Sequence, residues 1–78
     1  MKMSKETAAE LGALIAESMH EGGDVAARGG ALRVFYAIQD ALIAEEAPTN
    51  GKRLPITQAL TNAFRTRIRE LEPSKRTA

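Results

Sequence analysis

Residues 31–47, ALRVFYAIQDALIAEEA, decide how this chain folds. Projected at about 100° per residue, Val34, Phe35, Ile38 and Leu42 make one apolar stripe. Leu32, Tyr36 and Ile43 make a second, with Gln39 and Glu46 between the two. The segment shows no strand-like alternation. A helix that is apolar on two sides is either sandwiched between two neighbours or shared with another chain. The sequence on either side supplies two such neighbours.

Upstream, Ser4 is a suitable N-cap and Glu6 sits favourably in the first turn, which predicts a helix over 5–20. Its stripe is Leu11, Leu14, Ile15 and Met19, with Ala8 in phase, and Gly22-Gly23 stops it. Asp24 can cap a segment beginning at Val25. The pair Gly29-Gly30 is expected to break that segment after one turn, at about 1 kcal/mol per helical glycine. The second helix is therefore predicted over 31–47, closed by Pro48. Residues 48–54, PTNGKRL, are turn chemistry. Pro55 suits the first position of a third helix over 55–72, whose stripe is Ile56, Leu60, Ala63, Phe64, Ile68 and Leu71. Pro73 ends it, and 73–78 read as a loose tail. The expected architecture is all-α: one domain over 1–78, a small three-helix bundle that dimerisation could complete.

Composition narrows the function classes. A chain of 78 residues has too few side chains for a second core. With 44% hydrophobic and 27% charged residues it falls among soluble globular proteins. No apolar run is long enough to span a bilayer and no signal-peptide pattern opens the chain, so a cytoplasmic location without membrane association is expected. The absence of cysteine removes disulfides, thiolate metal sites and a cysteine nucleophile. Glu17 and His20 have the i, i+3 spacing of a carboxylate–histidine ligand pair, but His20 is the only histidine, and one chain cannot supply the second pair such sites need. No catalytic residue, cofactor or metal is expected.

Charge is distributed unevenly. Residues 1–48 carry four basic and eight acidic side chains, a net −4; residues 49–78 carry seven basic and two acidic, a net +5. Glu6, Glu10, Glu17 and Glu21 share one flank of the first helix, whereas Arg65 and Arg69 are one turn apart on the third and point away from its stripe. Arg67 projects into that stripe, either snorkelling at the bundle end or anchoring a partner carboxylate or phosphate. A surface of this kind suits an acidic partner. The expected function is that of a small non-enzymatic helical protein that binds another macromolecule, in the manner of a bacterial or phage-type inhibitor or adaptor. A protein partner is favoured and a homodimer is compatible with it. The candidate contact residues are Phe35, Tyr36 and Ile43 on helix 2, Lys52 and Arg53 on the loop, and Arg65, Arg67 and Arg69 on helix 3. The alternative is a nucleic-acid-binding regulator using Lys52, Arg53, Arg65, Arg69, Lys75 and Arg76 as one basic strip.

Overall fold

A computed structural model describes residues 3–72. It comprises α1 (Lys5–Gly22), α2 (Val25–Asn50) and α3 (Pro55–Leu71), with no strand among the described residues. Cross-helix contacts give the directions. Gly12 faces Leu60 and Phe64, Glu17 reaches Arg67 and His20 reaches Glu72, so α1 and α3 run parallel. Glu46 meets Ile56, Phe35 meets Phe64 and Arg28 meets Glu72, so α2 runs antiparallel to both. The all-α three-helix bundle read from the sequence is the observed architecture.

In α1 the Ser4 Oγ accepts from the Thr7 amide at 3.1 Å, and Gly23, at φ +74°, ends the helix. The buried face differs from the expected one. Leu14 is 59% exposed, whereas Ala8, Gly12, Ile15, Ala16 and Met19 are buried. The small residues, one every four positions, let the α1 and α3 backbones meet. A β-carbon built on Gly12 would run into the Leu60 carbonyl oxygen and lie 3.1 Å from the Phe64 nitrogen. Closest approach thus sets the face, and Leu14 is turned to the outside.

The second helix departs further from expectation. It begins at Val25, not Ala31, and passes through Gly29-Gly30 without a break. Neither glycine has a positive φ. Asp24 Oδ1 accepts from the Ala27 amide at 2.7 Å, Arg28 is tied to Glu72 and Ala31 is buried in the core, so the segment is held on both sides of the pair. These ties outweigh about 1 kcal/mol of propensity per glycine. Pro48 does not close α2 either; it lies in the last turn, and the Gly51 amide donates to the Ala47 carbonyl at 2.9 Å, with φ +63° at Gly51. A proline so near the end forfeits little of the hydrogen-bond ladder. α3 ends at Leu71 with Glu72 as its C-cap, and the predicted tail over 73–78 lies outside the described residues.

The core joins Ala8, Ile15, Met19, Ala31, Phe35, Leu42 and Leu60. Phe35 stacks on Phe64 with ring centroids 4.2 Å apart and planes inclined by 24°. One charged side chain is buried with them. Glu46, 6% exposed, accepts from the amides of Ile56 (2.9 Å) and Thr57 (2.7 Å) and from the Thr57 hydroxyl (2.7 Å). The reason lies at the start of α3. Leu54 has no side-chain acceptor and Pro55 no amide, so the free N–H groups of Ile56 and Thr57 are capped from α2.

Candidate partner-binding groove

Between the helices lies an open groove of about 350 Å³, with Met19, Leu32, Phe64 and Ile68 as its floor and Arg65 and Arg69 on its edge. All three helices contribute. Met19 belongs to the last turns of α1, Leu32 to the first half of α2, and the rest to the second half of α3. The stack with Phe35 fixes Phe64, and the Glu46 cap fixes the start of the helix that carries it. Arg65 and Arg69 are exposed, and neither takes part in an ion pair among the described residues.

Arg67, between them, is already engaged. Its Nη1 donates to Glu70 Oε1 at 3.1 Å and its Nε to Glu17 Oε2 at 3.0 Å. The hydrogen bonds to Glu70 and Glu17 raise its pKa above the ordinary arginine value. It therefore ties α3 to α1. Glu17 and His20, at ligand-like spacing in the sequence, are directed to different partners: Glu17 to Arg67, and His20 Nδ1 to Glu72 Oε2 at 3.1 Å. Glu72 also accepts from Arg28 Nη1 at 3.1 Å, so one carboxylate at the end of α3 gathers the end of α1 and the start of α2. Glu6, Glu10 and Glu21 make no ion pair among the described residues.

Glu46 is the other group with a perturbed ionisation. Burial by itself pushes its pKa up. The Thr57 hydroxyl and the amides of Ile56 and Thr57 stabilise the charged form more, and the net displacement is below the usual glutamate range.

The remaining sequence candidates are dispersed. Phe35 is in the core, while Tyr36 beside it is 55% exposed and meets Phe35 edge-on at 5.4 Å and 68°. Ile43 is half-buried. Lys52 and Arg53 border a different cavity, at the opposite end of α3 from Arg65 and Arg69, and share it with Lys5. Lys75 and Arg76 lie outside the described residues. Reading the sequence missed the floor of the groove as such, since Met19 and Ile68 read as core positions and Leu32 as part of the second stripe of α2, and it missed Lys5. It also missed Glu46, for which a signal existed: a helix opening on Leu54-Pro55 lacks a cap of its own and needs an acceptor from elsewhere. Among the described residues no helix is long and apolar enough to cross a membrane, and no group of three or more metal-ligating side chains converges. No family model, curated protein or solved structure matches the chain.

Proposed function

We propose that this is a non-enzymatic interaction protein that holds an acidic, amphipathic helix of a partner protein in the groove between its three helices. The observation that carries the reading is the pairing of an apolar floor, Met19, Leu32, Phe64 and Ile68, with two exposed arginines, Arg65 and Arg69, that make no ion pair among the described residues. A helix with apolar side chains at i, i+3, i+4 and i+7 would fill the floor. Carboxylates along its edge would meet Arg65 and Arg69, whose guanidinium forks suit bidentate pairing. Tyr36, one turn along α2 from Leu32, adds an exposed aromatic on the same helix. Inhibitors and adaptors work by occupation of this kind, which asks nothing of the chain but shape and charge.

Capture from a lysate of the source cell tests it, with wild type and Arg65→Glu/Arg69→Glu as baits and nuclease treatment in parallel. The expected result is a protein retained by the wild type, resistant to nuclease, and lost by the charge-reversed bait. Its recovery by the charge-reversed bait, or loss of retention on nuclease treatment, contradicts the reading.

A further inference from the structure

We infer that the cavity bordered by the start of α1 and the α2–α3 loop is a second binding site, one that takes a compact polyanion of the phosphate class. The cavity measures about 520 Å³; Lys5, Lys52 and Arg53 supply its charge, Asn50 and Gln58 supply amides, and no acidic residue among the described residues lines it. The three cations are exposed and make no ion pair among the described residues.

The helix ends on this side of the bundle are mixed in sign: α1 and α3, which are parallel, turn their positive ends here, and the antiparallel α2 turns its negative end here. Lys5 opens α1, and Lys52 and Arg53 lie on the loop between the end of α2 and the start of α3. Glu46 does not compensate them. Its oxygens are committed to Ile56 and Thr57, and it lines a neighbouring cavity. The same bonds remove the α3 helix end from contention, since its Ile56 and Thr57 amides are taken and the Gln58 amide donates to Leu54 at 2.8 Å. Recognition falls to the side chains. The loop that presents two of them is internally tied, with the Gly51 amide bonded to Ala47 at 2.9 Å and the Arg53 amide to Asn50 at 3.1 Å. Two ammonium groups and one guanidinium around a space lined with amides suit a doubly or triply charged phosphate; a monovalent anion engages them weakly.

The test is titration of the ¹⁵N-labelled full chain with inorganic diphosphate, against sodium chloride at matched ionic strength. Saturable amide shifts are expected at Lys5, Asn50, Lys52, Arg53 and Gln58 and not at Arg65 or Arg69. Lys52→Gln/Arg53→Gln, at exposed loop positions and checked for unchanged circular dichroism, is expected to lower the affinity about tenfold or more. Arg65→Glu/Arg69→Glu is expected to leave it unchanged, which separates this site from the groove. Shifts that do not saturate, that spread equally over Arg33, Arg65 and Arg69, or that survive the loop substitutions overturn the inference. A short single-stranded oligonucleotide then identifies the source of the phosphate. If it displaces diphosphate from these residues the site serves a nucleic-acid backbone; if it does not, it serves a small phosphate-bearing molecule.

Discussion

The two sides of α3 are built differently. Toward α1 the backbones meet through Ala8, Gly12 and Ala16, leaving no room for another methyl group at Gly12. Toward α2 the contact is looser, carried by the Phe35–Phe64 stack, the Gln39–Thr61 hydrogen bond at 3.0 Å and the Glu46 cap. The groove floored by Leu32, Phe64 and Ile68 opens where that contact thins. The difference teaches that one helix pair acts as a rigid frame while the third spaces the surface a partner would use. Small side chains set the first interface, large ones the second.

Three sets of substitutions probe that contrast, in order of expected size. Gly12→Leu should break the closed side, costing about 3 kcal/mol because two backbones must separate; urea denaturation measures it, and an unchanged midpoint would mean that the seam is not tight. Glu46→Ala should loosen the open side by about 2 kcal/mol, since two α3 amides and a buried hydroxyl lose their acceptor. The same carboxylate predicts a pH dependence. Its folded pKa lies below its unfolded value, so its contribution is complete above the ordinary glutamate range and is lost as the pH falls through the folded pKa. Acid titration of stability should therefore be steeper for wild type than for Glu46→Gln. The smallest effect is a gain. Gly29 and Gly30 are helical and exposed, and a β-carbon on either meets nothing within 4 Å, so Gly29→Ala and Gly30→Ala should each stabilise by about 0.5–1 kcal/mol. Destabilisation by either would show that the start of α2 must yield.

What the sequence made legible follows from the range of the physics involved. Ser4 and Asp24 as caps, Gly22-Gly23 as a stop and Pro55 as a start act within one turn, and they stand as read. Gly29-Gly30 was misleading because propensity is local, whereas the ties that hold it, Arg28 to Glu72 and Ala31 in the core, come from the tertiary structure. The α1 face was displaced because a stripe drawn through large residues favours Leu14 and passes over Gly12, whose value lies in what it lacks. At the groove, Arg65 and Arg69 were recognisable as an exposed pair from their spacing alone. The floor they border is assembled from three helices, and Lys5 lies far along the chain from Lys52 and Arg53, so neither juxtaposition could be read before the chain was folded.

The central claim is that the open side of α3, edged by Arg65 and Arg69, receives the partner. Methyl NMR of Met19, Leu32 and Ile68, recorded as the captured partner is added, tests it most directly. Shifts at these three with Leu14 unmoved are the predicted result; shifts at Leu14 on the outer face of α1, with the groove methyls unchanged, would contradict it.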